Sequence, residues 1–111
     1  MEEPDPVLLR AATAGDLDAF EDLVRLYQQP VWRFLCHLVA DPALAEDLAQ
    51  ETFLRAYRNL GTFAHQSRFS TWLFQIARNA GIDALRHRER GARLLEVVPV
   101  ADSRPSPEAG A

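Results

Sequence analysis

The chain of 111 residues contains no lysine and a single cysteine. One cysteine, Cys36, excludes an internal disulfide, and its spacing from His37, His65 and His87 matches no pattern of metal ligands. We therefore expect no metal site. All 12 cationic residues are arginines, whose planar guanidinium groups suit phosphate and base contacts, although a preference for arginine codons explains the same composition.

Long apolar runs are also missing, because Arg, His or Gln interrupts every hydrophobic stretch. Neither a signal peptide nor a membrane span is predicted, so we expect a soluble, cytoplasmic chain with no membrane partner. The sequence shows no pairing of nucleophile and base and no glycine-rich phosphate loop. We accordingly expect a protein that is not an enzyme and needs no cofactor.

Charge is distributed unevenly along the chain. Residues 1–51 contain 11 acidic residues against 3 arginines, and residues 52–93 contain 8 arginines against 2 acidic residues. The first part therefore carries a net charge of −8 and the second a net charge of +6. Such polarity indicates two partners of opposite sign, with the basic part directed at nucleic acid or an acidic protein.

The apolar periodicity predicts an all-α fold, a compact domain of about four helices. Each of the first three helices has a start signal: Asp5-Pro6 before a short helix over Val7–Ala14, Asp16 before the second, and Asp41-Pro42 before the third. Pro30 falls inside the second helix, but the apolar phase continues through it, which predicts a kink and no break.

Glycines and serines mark the remaining boundaries. We predict that Gly61 ends the third helix and that Ser67 caps a fourth helix running to about Arg90. Gly81 within that helix indicates close packing or a local bend. The predicted organisation is an N-terminal arm and short helix over residues 1–15, a domain over 16–93, and a flexible Pro-rich linker or tail over 94–111.

An acidic and amide ridge lies on the third helix. Asp47, Gln50, Glu51 and Leu54 are three or four residues apart, so they share one side of the helix and could meet a basic partner. The alternative is a solvated face on which Asp47 and Glu51 merely support Arg55 through pairs worth a few tenths of a kcal/mol.

The fourth helix combines aromatic and basic residues, among them Phe69, Trp72, Phe74, Arg68, Arg78, Arg86, Arg88 and Arg90. Stacking contributes about 1–3 kcal/mol per base and needs unpaired bases, so this combination suits single-stranded DNA. Phe69 and Trp72 could equally be core residues. Asn79 could bind an adenine edge, or could belong with Asp83 and Arg86 to a hydrogen-bonded helix surface.

Two segments resemble the bacterial RNA polymerase sigma factors, in particular the extracytoplasmic-function (ECF) type. Ala45-Glu46-Asp47-Leu48-Ala49-Gln50-Glu51-Thr52-Phe53-Leu54-Arg55-Ala56 is similar to the family's core-binding signature. Phe69-Ser70-Thr71-Trp72-Leu73-Phe74-Gln75-Ile76-Ala77-Arg78-Asn79-Ala80-Gly81-Ile82-Asp83-Ala84-Leu85-Arg86 resembles its promoter-melting helix. The resemblance covers roughly residues 16–90 and identifies the region 2 domain.

The resemblance implies two binding partners and the residues that contact them. Core RNA polymerase, through a coiled coil of its largest subunit, would be bound by Asp47, Gln50, Glu51, Phe53, Leu54 and Tyr57. The non-template strand of the minus-ten promoter element would be bound by Phe63, His65, Ser67, Arg68, Phe69, Trp72, Arg78, Asn79, Arg86, Arg88 and Arg90, with a flipped base in a pocket formed partly by residues 61–67. An anti-sigma factor is a further conceivable partner.

Two other functions fit the same residues. A helical protein-interaction module would use the acidic helix and bind no DNA, and a helix-turn-helix regulator would prefer an intact duplex. Sigma factors of this type usually carry a second domain that reads the minus-thirty-five element. Nothing after Arg90 predicts such a domain, so we do not expect this chain to recognise a promoter alone.

Overall fold

The computed structural model describes residues 2–63 and 67–97. Four α-helices account for most of them: α1 Pro6–Thr13, α2 Leu17–Val39, α3 Pro42–Asn59 and α4 Phe69–Val97, with a 3-10 turn over Leu60–Thr62 after α3. No strand occurs in these two ranges. The prediction of an all-α fold with about four helices is confirmed.

The predicted helix starts are also confirmed. An aspartate carboxylate accepts a hydrogen bond from a backbone N–H of the first turn in each of the first three helices, which pairs a group that would otherwise lack an intrahelical partner. The pairs are Asp5 with Val7 at 2.8 Å, Asp16 with Ala19 at 3.2 Å and Asp41 with Leu44 at 3.2 Å.

Helix α2 continues through Pro30 without a break and ends at Val39. Ala40 then adopts a left-handed conformation, with φ 56° and ψ 37°, and its N–H donates to the Cys36 carbonyl. A non-glycine residue in this region costs about 1–2 kcal/mol. The strained residue allows a very short connection, because Asp41 already caps α3.

The boundaries around α4 differ from the predictions. Helix α3 ends at Asn59, so Gly61 lies within the 3-10 turn. Ser67 was the predicted cap of α4, but the side chain that accepts hydrogen bonds from the first turn of this helix is that of Glu3. Helix α4 runs to Val97, past Arg90, because Gly91 costs only about 1 kcal/mol in a helix and strong helix formers follow it. The predicted tail lies mostly outside the described residues.

Helix α2 is the centre of the core and packs against α1, α3 and α4. Its residues Leu23, Val31 and Leu35 are almost completely buried, together with Leu73 of α4. The buried Thr52 hydroxyl of α3 donates to the Leu48 carbonyl at 2.7 Å, so this polar group is satisfied inside the core.

Gly81 allows α4 to approach α2 closely, as its position in the sequence suggested. A Cβ atom added at Gly81 would lie 2.5 Å from Leu38 Cδ2 and 3.2 Å from Leu35 Cδ2. Over the residues described, none of the four helices combines the length and apolar character that a membrane span requires.

Leu73→Ala should lower the free energy of unfolding by about 2–5 kcal/mol, because Leu73 is completely buried and the truncation leaves a cavity. Leu54→Ala removes the same atoms from a side chain that is 54% exposed, and should change stability by less than about 1 kcal/mol. Urea unfolding followed by circular dichroism measures both. Equal losses in the two variants would refute the assignment of Leu73 to the core.

Tyr27 links α2 to the segment before α1. Its hydroxyl donates to the Glu2 carbonyl at 2.7 Å, and its ring packs on Phe69 with centroids 5.6 Å apart. Burial, followed by the negative charges of Glu3 and Glu2, raises the pKa of Tyr27 to about 12. The folded state therefore favours the neutral phenol.

Stability should accordingly fall as the pH rises through the interval from about 10 to about 12. In that interval the unfolded chain loses the Tyr27 proton while the folded chain keeps it, and each pKa unit corresponds to at most about 1.4 kcal/mol. Between about pH 9 and about pH 11, urea unfolding should therefore show a loss of about 1 kcal/mol. Tyr27→Phe should show a clearly smaller alkaline loss, and an identical loss would contradict the assignment.

Candidate docking groove and nucleic-acid face

A groove of about 1280 Å³ runs between α2 and α3. Its walls consist of apolar and amide side chains with a few charged groups at their edges, and none comes from α4. The lining residues are Leu17, Phe20, Glu21, Val24, Arg25, Gln28, Gln29 and Trp32 of α2, and Pro42, Ala43, Glu46, Ala49, Gln50, Phe53, Leu54 and Tyr57 of α3.

Four of the six residues predicted to bind polymerase, Gln50, Phe53, Leu54 and Tyr57, lie together in this groove. Leu54 and Tyr57 are about half exposed, as is Leu17 on the opposite wall. Exposed large apolar side chains that cluster in a groove are typical of protein-docking surfaces. The structure therefore brings the predicted apolar and amide contacts onto one surface.

The two predicted acidic contacts do not line the groove. Asp47 is exposed beside it, whereas the Glu51 carboxylate accepts from Arg55 Nε at 2.9 Å and lies 3.5 Å from an Arg58 nitrogen. Arg55 also lies 3.8 Å from Asp83 of α4. Glu51 thus belongs to a partly exposed ion-pair network between α3 and α4. Its pairing with Arg55 is the one that the sequence analysis gave as the alternative to a docking role.

The α2 wall of the groove was missed by the sequence reasoning. The apolar periodicity of the second helix predicted packing in the core but gave no role to Leu17, Gln28 or Trp32. The sequence did contain a signal for this wall. The apolar surface of α2 is wider than the stripe that a helix needs to pack against one neighbour. Trp32 closes one end of the wall, where its indole N–H lies 3.4 Å from the Pro42 carbonyl oxygen.

Four of the predicted basic and amide contacts form one exposed face of α4. Arg78, Asn79, Arg86 and Arg90 are exposed and lie at helical spacing. Arg88 is 3.3 Å from the Asp41 carboxylate, so part of its charge is already paired. In the part of the chain that the structure describes, Arg78, Arg86 and Arg90 form no ion pair.

The predicted aromatic contacts form a cluster at the start of α4. The ring centroids are 5.8 Å apart for Phe63 and Phe69, 5.2 Å for Phe63 and Trp72, and 5.7 Å for Phe69 and Trp72. Phe69 is only 2% exposed and Phe63 is also buried, whereas Trp72 is partly exposed. Of the three rings, Trp72 therefore offers the most surface to a nucleobase.

Ser67 and Arg68 are exposed and border a second cavity, of about 490 Å³, next to this cluster. Glu3 and Pro4, from the segment before α1, line its other side. The sequence reasoning assigned no role to these two residues, and nothing local in the sequence indicates the contact. His65 lies outside the described residues. Among those described, no group of His, Cys, Asp and Glu is arranged to hold a metal ion.

Comparison with known proteins gives consistent matches. Residues 23–91 match the family described as Sigma-70 region 2. The chain is 48% identical over 77 residues to "ECF RNA polymerase sigma factor BldN" of Streptomyces coelicolor, covering 68% of this chain and 29% of that protein. It is 38% identical over 81 residues to "ECF RNA polymerase sigma factor SigW" of Bacillus subtilis, covering 73% and 43% respectively.

A solved structure is also similar, described as an "NMR structure of the complex formed by an engineered region 2 of sigmaE in complex with GTAAAA". The TM-score is 0.71 at 37% identity, and the match covers 81% of this chain and 96% of that one. The chain spans less than half the length of BldN and SigW. The helical fold, the two motifs and these matches agree that the chain belongs to the sigma-70 family of RNA polymerase sigma factors, of the ECF type, and comprises its region 2.

Proposed function

We propose that this domain acts in transcription initiation by docking on core RNA polymerase and holding the non-template strand of the minus-ten promoter element. The observation that carries the proposal is the presence of two chemically distinct surfaces, an apolar and amide groove between α2 and α3 and an arginine face on α4. The domain works by binding in the cytoplasm, without a cofactor and without catalysing a reaction itself.

The groove is the proposed polymerase site. Its half-exposed leucines and Tyr57 can be buried by a helical partner, while Gln50 can hydrogen-bond at the rim. Burying apolar surface supplies about 25 cal/mol per Å², and a few large side chains usually dominate such interfaces. We place the main contribution on Leu54 and Tyr57 and only a minor one on Glu51, whose carboxylate is already paired. An anti-sigma factor would bind by covering this same groove.

The α4 face is the proposed DNA site. The guanidinium groups of Arg78, Arg86 and Arg90 supply phosphate contacts, and Asn79 between them can read a base edge. Within the described ranges these three arginines form no ion pair. Trp72 provides a stacking surface, while the buried rings of Phe63 and Phe69 support it from below. A face with these features favours an open strand over a duplex, because stacking requires unpaired bases.

Leu54→Ala should weaken binding to core RNA polymerase by about tenfold, which corresponds to about 1.4 kcal/mol at an apolar contact. Leu26→Ala is the matched control, because Leu26 is also 54% exposed and lies on α2 outside the groove. Both affinities can be measured by fluorescence anisotropy with labelled protein. Equal affinities for the two variants, or no binding by the native chain, would contradict the proposed docking groove.

Replacing Arg86 and Arg90 by Ala together should weaken binding to a single-stranded oligonucleotide and flatten its salt dependence. Each phosphate that the variant no longer neutralises makes the slope of log K against log salt less negative by about 0.7. Arg33→Ala is the control, since Arg33 is an exposed arginine of α2 that forms no described ion pair. A native chain that binds no oligonucleotide, even with polymerase, would favour the protein-interaction module, and preference for a duplex would favour the helix-turn-helix regulator.

A further inference from the structure

Residues 2–5 form a leading segment that is anchored across the start of α4. The Glu3 carboxylate accepts a hydrogen bond from the Ser70 backbone N–H at 3.2 Å, and its second oxygen accepts one from the Ser70 hydroxyl. These partners are 67 residues apart in the chain. The contact is therefore a tertiary one, set by how the helices pack.

Two further contacts hold the leading segment in place. The Glu2 carbonyl accepts the Tyr27 hydroxyl at 2.7 Å, and Pro4 is buried. The carboxyl-bearing residues Glu2, Glu3 and Asp5 are themselves exposed. The segment is thus tied to α2 and α4 through a few groups, and its three acidic residues lie at the surface.

The leading segment also lies beside residues assigned to DNA binding. Glu3 and Pro4 line the same cavity as Ser67 and Arg68. A carboxylate at the start of a helix uses the N–H and hydroxyl donors that a nucleic-acid phosphate would use. The exposed carboxylates would in addition repel the phosphates of an incoming strand.

We propose that the leading segment is a built-in competitor of the non-template strand, which has to displace the Glu3 contact with Ser70 in order to reach the start of α4. This inference rests on the proposed function of the α4 face. The apparent affinity for DNA is the intrinsic affinity multiplied by the fraction of molecules in which the segment has left the site. Because a carboxylate at a helix start is held only modestly, displacement is reversible and the penalty is a small factor.

The test is a set of NMR titrations of the 111-residue chain with a single-stranded hexanucleotide GTAAAA, the sequence named for the similar solved structure, at an ionic strength of about 0.1 M. Glu3→Gln and Tyr27→Phe should each lower the Kd by about two- to fivefold. Tyr27→Phe is informative because it removes the hydroxyl that holds the Glu2 carbonyl, and so loosens the leading segment without changing the charge. The double variant should gain less than the two single gains combined, since both changes loosen the same segment.

Asp18→Asn is the charge-matched control. Asp18 is exposed on α2, lies outside the groove, and takes part in no hydrogen bond or ion pair within the described ranges. Its removal should alter the Kd by less than about 1.5-fold, which is the effect expected from net charge alone at this ionic strength. Circular dichroism establishes that every variant is folded at the temperature of the titration.

The outcomes separate the inference from the function on which it rests. If the native chain binds and neither Glu3→Gln nor Tyr27→Phe tightens binding beyond the control, the competitor is refuted while the DNA site stands. Weaker binding by Glu3→Gln also refutes it, because Glu3 would then be part of the DNA site. If neither the native chain nor any variant binds, even with core polymerase present, the proposed DNA function fails and the inference fails with it.

Discussion

The packing of α2 against all three other helices is the constraint on which the rest of the structure depends. Leu23, Val31 and Leu35 bury one side of this helix, and Pro30 between them removes a backbone hydrogen bond without interrupting it. The same helix forms one wall of the docking groove and, through Tyr27, anchors the leading segment and packs on Phe69. A rotation of α2 would therefore disturb the groove and the start of α4 together.

In α3 and α4, the side chains that stabilise the fold differ from those that are available to bind a partner. In α4 the buried rings hold the helix against α2, while Arg78, Arg86 and Arg90 face solvent. In α3 the split is similar, since Ala45, Ala49 and Ala56 pack inside and Leu54 and Tyr57 remain half exposed. Small residues on the packed side bring the helix backbones close, which leaves the large residues available for a partner.

Local signals predicted the helix starts well and the helix ends poorly. Asp16 and Asp41 cap their helices because a short carboxylate reaches the N–H groups of its own first turn, an interaction contained within four residues. Gly61 and Gly91 were weaker signals, because a glycine costs about 1 kcal/mol in a helix and neighbouring residues can offset that cost. Helix α4 accordingly continues through Gly91 to Val97.

The sequence by itself determined the all-α class, the order of the helices, the acidic and basic halves and the family, because each follows from periodicity, composition or a contiguous motif. Only the tertiary structure decided which side chains share a surface. It joined α2 to α3 in the groove, placed Arg55 beside Asp83, buried Phe69, and brought Glu3 to Ser70. Such contacts join residues distant in the chain or depend on how the helices are rotated as they pack, which no local pattern encodes.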